Sequence, residues 1–177
     1  MCCSAIGGGP GELKIDWFGS FSVQGPTPLL HHSMPMSSPE RSYLEPTQES
    51  GRDFLMRGIE GEIVMLNLLR FREIADYSGT PHLAPDSPIS GAEAYDRYIE
   101  LTLPHLTESG GGLEFYGVGG GFLIGPPEEH WDVVMLVRHR SVEVFMAFAS
   151  NEAYLDGVGH RTAAIADSRL LPIVPRR

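Results

Sequence analysis

Polar side chains interrupt the apolar segments of the chain at a few positions, and a ligand could bind there. Asn67 lies within the apolar segment Ile63–Phe71, on the face that Met65 and Leu69 share if the segment is a strand. A buried amide needs a hydrogen-bond partner, which is either a bound ligand or a backbone group of a neighbouring loop. Arg70 falls on the opposite face near the strand end, where it binds either a carboxylate ligand or an Asp or Glu of the chain itself.

Two tyrosines could donate hydrogen bonds inside a pocket. Tyr98 shares the inward stripe of the main expected helix with Tyr95, and Tyr154 stands in a later segment. A phenol at such a position acts as a hydrogen-bond donor or a general acid, or it packs in the core with its hydroxyl already bonded. Both interpretations stay open, so Tyr98 and Tyr154 are candidate ligand-binding residues.

The common catalytic motifs are missing from the sequence. No Gly-x-Gly-x-x-Gly follows a strand, and there is no P-loop, His-Glu-x-x-His or Gly-x-Ser-x-Gly motif. Cys2 and Cys3 are adjacent and are the only cysteines, so neither a structural zinc nor a cysteine nucleophile is expected. His130 and His139 stand at strand ends, where solvent exposure is the default. We expect no metal and no cofactor, and any enzyme here would use acid–base chemistry or orient a reactive substrate.

The elements that would position these residues follow from hydrophobic periodicity. Two segments are apolar on both alternating faces, which predicts strands covered on both sides. Ser90 and Glu93 form a capping box that predicts a helix after a long loop over 72–90. The expected strands are Ile63–Phe71, Leu113–Val118 continued by Phe122–Ile124 after a glycine bulge, His130–His139, and Arg169–Val174.

The second crossover of this arrangement is expected to be broken. Ser141 predicts the start of a helix, Tyr154 a turn, and Arg161 to Ile165 a short second helix. The order of elements predicts an α+β, ferredoxin-like βαββαβ domain with an antiparallel sheet. This domain covers residues 43–177, whereas Gly- and Pro-rich residues 1–42 predict a poorly ordered N-terminal extension.

Charge and hydropathy exclude several classes of partner. The net charge of −10 disfavours nucleic acid, because an acidic surface repels phosphate. No apolar segment approaches the roughly 20 residues that a membrane span needs. The N-terminus lacks the features of a signal peptide, so we expect a cytoplasmic protein.

Several separate blocks of the chain agree in order and spacing with one known family over residues 43–174. The blocks are Val64–Arg72, Gly91–Tyr98, Gly110–Gly111, Trp131–Val134, Tyr154, Arg161–Ala164 and Asp167–Leu170. They resemble the DUF1330 family, a group of bacterial proteins of undefined function within the dimeric α/β-barrel superfamily. The resemblance implies a homodimer in which two four-stranded sheets close a barrel, each subunit keeping a small pocket. It also brings in Arg161 and Arg169, which match a late block and either anchor the C-terminal segment or bind an anionic ligand.

Two functions from different classes remain open. One is a cofactor-independent enzyme, isomerase- or monooxygenase-like, acting on a small organic acid or aromatic compound. The other is a ligand-binding or scaffold protein without turnover. No catalytic residue can be assigned, and a pocket of several hundred Å³ with converging polar groups would favour the enzyme.

Overall fold

The computed structural model describes residues 42–176, and the N-terminal extension expected over residues 1–42 lies outside this range except for Ser42. Within this range the chain forms four α-helices, four strands and one 3₁₀ turn. In chain order they are α1 (Gln48–Met56), β1 (Ile63–Phe71), a 3₁₀ turn (Pro81–Leu83), α2 (Gly91–Glu108), β2 (Gly112–Gly121), β3 (His130–His139), α3 (Val142–Ala149), α4 (Glu152–Ala164) and β4 (Ile165–Ile173).

The four strands form one antiparallel sheet in the order β2-β3-β1-β4. Strand β3 therefore lies between β1 and β2, the two strands that flank helix α2. This is the ferredoxin-like βαββαβ arrangement, and the α+β fold class expected from the sequence is confirmed. The bounds of β1 and β3 are those that the apolar segments predict.

Local sequence accounts for the start of each helix. Ser90 and Glu93 form the expected capping box at α2, and Ser141 caps α3 by accepting a hydrogen bond from the Val144 backbone. At α4 the side chain of Asn151 accepts a hydrogen bond from the Tyr154 backbone at 3.2 Å. The expectation that Tyr154 lies in a turn is therefore wrong, because this cap places it in the first turn of a continuous helix.

Two other boundaries differ from the sequence expectation. Strand β4 begins at Ile165 rather than Arg169, because Ile165 adopts extended backbone directly after α4 and pairs with Phe71. Strand β2 ends at Gly121 without Phe122–Ile124, and its irregularity lies between Leu113 and Phe115 instead of in the glycine run.

The core lies between one face of the sheet and helices α2 and α4. Buried side chains from three directions meet there, and they include Leu69, Val133 and Met135 from the sheet, Ala94 and Tyr95 from α2, and Ala163 and Ala164 from α4. Burying each large apolar side chain contributes about 1.5–3 kcal/mol. His139 also lies on this face and is 2% exposed. Its expected solvent exposure is wrong, because Phe145 and Phe148 of α3 pack against its ring.

The opposite face of the sheet, called the outer face below, is also apolar. Directly paired residues project to the same side, so Leu66, Leu136, Leu171 and Phe115 share this face. Phe115 is 51% exposed and Leu171 is 55% exposed. The outer face is thus an apolar surface that the described residues cover only in part.

The long connection between β1 and α2 is fixed to the end of α4. The Arg72 backbone amide donates to the Ala164 carbonyl at 2.8 Å, and the Asp76 amide donates to the Ala163 carbonyl at 2.9 Å. Gly91 starts α2 at a close approach, because a Cβ there would lie 2.6 Å from the Ala164 carbonyl oxygen. No helix among residues 42–176 has the length and apolar character that crossing a bilayer requires.

Candidate functional site

Two of the candidate residues meet between α2 and α4. The hydroxyl oxygens of Tyr98 and Tyr154 are 3.1 Å apart, a distance at which one hydroxyl donates to the other. Their rings contact edge to face with centroids 6.2 Å apart. Phe148 of α3 stacks on the Tyr154 ring at 4.4 Å, and Tyr95 lies 5.2 Å from the Tyr98 ring. Three helices thus place the hydroxyl pair within an aromatic cluster.

A cavity of about 60 Å³ lies beside Tyr98, between α2, the sheet and α3. It is lined by Tyr98, Ile99, Thr102, Leu103, Leu106, Leu113, Met135, Val137 and Phe148. The Thr102 hydroxyl donates to the Tyr98 carbonyl at 2.7 Å. Leu103, one of the lining residues, is 37% exposed, so this part of the lining is next to solvent. The site is small and mostly apolar, with Tyr98 as its aromatic hydroxyl.

Burial keeps Tyr98 and Tyr95 protonated. Desolvation raises the pKa of Tyr98 well above 10, and the neighbouring phenols of Tyr154 and Tyr95 add to this effect. Desolvation likewise raises the pKa of Tyr95, whose hydroxyl donates to the Met135 sulfur at 3.5 Å. At neutral pH these phenols are hydrogen-bond donors, and neither is a phenolate base.

Asn67 and Arg70 do not line this cavity, and both bond within the protein. The Asn67 side-chain nitrogen donates to the Met65 carbonyl at 3.1 Å, on its own strand. Arg70 forms an ion pair with Asp167 at 3.8 Å on the outer face. Asp167 is buried and also accepts a hydrogen bond from the Tyr43 backbone at 2.7 Å.

The two late arginines hold the segment before α1. Arg161 donates to the Leu44 carbonyl at 3.1 Å and pairs with Glu45 at 3.5 Å. Arg169 donates to Asp167 at 2.8 Å, and its guanidinium lies 4.7 Å from the centroid of the Tyr43 ring. The structure therefore brings Tyr98 and Tyr154 together at a cavity, and it places the other four candidates in bonds to the protein.

A second group of polar residues was not expected from the sequence. Tyr77 and His160 are buried and hydrogen-bonded although they are 83 positions apart in the chain, so no local motif could have indicated the pair. Beside Tyr77 lies an open groove of about 360 Å³ within the loop after β1. Its walls are mainly Ile, Ala and Pro side chains, with Asp86 and Ser87 as the polar members.

Potential metal ligands do not cluster within residues 42–176. There, no three His, Cys, Asp or Glu side chains come together in a group that could hold a metal ion. His139 has an unpartnered Nδ1, but Phe145 and Phe148 surround it instead of carboxylates.

Comparison with known proteins identifies a relative of unknown function and assigns no activity. No protein-family model and no curated protein matches the chain. Among solved structures, the RPA0582 protein of unknown function from Rhodopseudomonas palustris is 35% identical, with a TM-score of 0.67, over 77% of this chain and 99% of that one. A structure of methylated RPA0582 has 35% identity and a TM-score of 0.69, over 77% of this chain and 96% of that one.

A protein of unknown function from Bacteroides fragilis, described as dimeric with a ferredoxin-like fold, is 9% identical with a TM-score of 0.41. The match spans 63% of this chain and 94% of the Bacteroides fragilis protein. By its identity and coverage of RPA0582, the chain belongs to the same protein family as that Rhodopseudomonas palustris protein of unknown function.

Proposed function

We propose that the chain is a small-molecule-binding protein of the DUF1330 type, acting in the cytoplasm as a homodimer built on residues 43–177. The cavity beside Tyr98 is the observation that carries the binding proposal. It combines an apolar lining with a protonated phenol, which is how small-molecule sites fix the orientation of a ligand. Tyr98 and Tyr154 are the residues we assign to ligand binding.

Binding without turnover is the form of this function that the geometry supports best. Enzymes that move protons need a base, and no Asp, Glu, His, Lys or Cys lines the cavity. Asn67, Arg161 and Arg169 bond to groups of the chain itself, and none of them lines the cavity as a converging polar point. An isomerase or monooxygenase-like activity would have to rely on orienting a substrate that is already reactive.

The homodimer is proposed from the outer sheet face. A second copy packed there would bury Leu66, Leu136, Phe115 and Leu171, which the single chain leaves partly in water. Two such sheets face to face make the closed barrel that the DUF1330 resemblance implies. Ion pairs lie towards opposite ends of the same face, with Arg70 and Asp167 at one end and Arg138 and Glu114 at the other.

Chemical-shift mapping with a panel of small organic molecules tests the binding proposal. We expect saturable shifts that map to residues lining the cavity. Leu103→Trp should block the cavity and abolish these shifts. Leu101→Trp is the matched control, because Leu101 is an exposed leucine of the same helix that does not line the cavity. Shifts that persist in Leu103→Trp, or a panel without any saturable shift, would contradict the proposal.

A further inference from the structure

We infer that the cavity beside Tyr98 takes a neutral ligand bearing a single hydrogen-bond acceptor, of the ketone, aldehyde or ester class, in preference to a carboxylate. This inference rests on the proposed binding function and narrows its ligand class. Three features carry it: the count of available protons, the absence of a cation from the lining, and the size of the cavity.

The proton count of the hydroxyl pair leaves one donor. Tyr98 and Tyr154 each carry one phenolic proton, and the 3.1 Å contact between their oxygens uses one of them. Neither hydroxyl has another hydrogen-bond partner within residues 42–176. The nearby Thr102 hydroxyl has already donated its proton to a backbone carbonyl. Either hydroxyl can be the donor in this contact. Because Tyr98 lines the cavity, a ligand acceptor beside it selects the orientation in which Tyr154 donates to Tyr98, and Tyr98 then gives its own proton to the ligand.

Charge separates a carbonyl from a carboxylate at this site. No Lys, Arg or His lines the cavity. Arg161 is near enough to influence the pKa of Tyr98, but its guanidinium bonds to the Leu44 carbonyl and to Glu45. An anion entering an apolar cavity loses its hydration and gains one phenol in return, which is a net cost. A neutral carbonyl loses far less hydration and gains the same hydrogen bond.

The volume limits what can be enclosed. An apolar cavity of roughly 150 Å³ holds benzene, so the 60 Å³ here holds a group of only a few heavy atoms. The exposed edge at Leu103 allows the rest of a larger ligand to extend into solvent. The enclosed part is therefore a carbonyl head group with short substituents.

Three molecules of nearly identical shape test the inference, namely acetone, acetate and isobutene. They share a planar, Y-shaped set of four heavy atoms and differ in charge and acceptor. Each is titrated into the isotope-labelled full chain, and the shifts of cavity residues give the affinity. We expect acetone to bind at least tenfold more tightly than acetate. Tyr98→Phe should lower the affinity for acetone by about tenfold, as the loss of a hydrogen bond predicts. The same substitution should change the affinity for isobutene by less than twofold.

Matched variants separate the hydroxyl from a general structural effect. Tyr154→Phe leaves the Tyr98 proton in place, so it should lower the affinity for acetone by less than Tyr98→Phe does. Tyr116→Phe is the control, because Tyr116 is an exposed tyrosine outside the lining, and it should have no effect. If Tyr98→Phe does not fold, the order of acetone and acetate in the unmodified chain still decides.

The outcomes distinguish this inference from the binding proposal. Acetate binding as tightly as acetone, or equal effects of Tyr98→Phe on acetone and isobutene, would overturn the neutral-acceptor inference and leave a binding cavity in place. Failure of all three molecules to shift cavity residues would overturn both.

Discussion

The hydroxyl of Tyr77 lies 2.8 Å from Nδ1 of His160, and this contact joins the loop after β1 to helix α4. Both side chains are buried, and their rings meet edge to face with centroids 5.6 Å apart. Burial raises the pKa of Tyr77 and lowers the pKa of His160, while Arg97 lowers both to a lesser extent. The pair is therefore neutral at neutral pH, as a buried hydrogen bond between a phenol and an imidazole requires.

Removing one partner of this bond should destabilise the fold. Tyr77→Phe leaves the buried His160 nitrogen without its partner, and we expect a loss of about 1–3 kcal/mol in the free energy of unfolding. Urea denaturation followed by circular dichroism measures it. Tyr116→Phe removes the hydroxyl of an exposed tyrosine and should change stability by less than about 0.5 kcal/mol. Equal effects of the two substitutions would show that the Tyr77–His160 hydrogen bond does not contribute to the free energy of unfolding.

His139 should make the protein sensitive to mild acid. Burial, followed by the nearby Arg138 charge, lowers its pKa from 6.5 to about 4. The unfolded chain then binds a proton more readily than the folded chain, so stability is full above pH 6.5 and falls as the pH drops towards 4. The difference corresponds to about 3 kcal/mol.

The variant His139→Gln keeps a polar side chain but cannot titrate in this range. We expect the free energy of unfolding to depend less steeply on pH between 6.5 and 4 in this variant. Val118→Gln, at an exposed position of β2 and without a titratable group, should leave the slope unchanged. His160 has a lowered pKa of the same sign and accounts for part of the slope that remains. An unchanged slope in His139→Gln would contradict the assignment.

Gly91 tests how tightly the loop, α2 and α4 are packed. A Cβ at this position would collide with the backbone oxygen of Arg72 and lie 2.6 Å from that of Ala164. Backbone atoms cannot move aside without breaking the bonds that fix the loop, so Gly91→Ala should destabilise the protein by about 1–3 kcal/mol. In Gly120→Ala the new Cβ has no neighbour within 4 Å, which makes it the control in the same denaturation experiment. Similar stability of the two variants would contradict the close packing.

The outer face predicts the assembly state. In a face-to-face dimer Leu171 is buried, and Leu171→Glu places a charge in that interface, so it should shift the protein from dimer to monomer. Sedimentation velocity at micromolar concentration measures the change. Leu55→Glu, on α1, alters a leucine of similar exposure away from the sheet and should leave the dimer intact. A stable monomer of the unmodified chain would contradict the proposed interface.

The sequence indicates the two central strands correctly because their signals are local. The segments Ile63–Phe71 and His130–His139 are apolar on both faces, which only strands covered on both sides require. The full length of helix α4 is harder to predict from the sequence, since Gly157 and Gly159 oppose a helix by local propensity. These glycines allow close tertiary packing. A Cβ at Gly159 would lie 2.5 Å from the Leu83 side chain, and one at Gly157 would lie 3.1 Å from the Thr102 side chain.

By itself, the sequence determined the fold class, the bounds of the two central strands and the caps of α2 and α3, because these follow from periodicity and short-range hydrogen bonds. Only the tertiary structure decided which polar residues meet. The contacts of Tyr98 with Tyr154 and of Tyr77 with His160 join residues that are distant in the chain. No local pattern encodes such pairs, since each depends on how α4 docks against α2 and the loop.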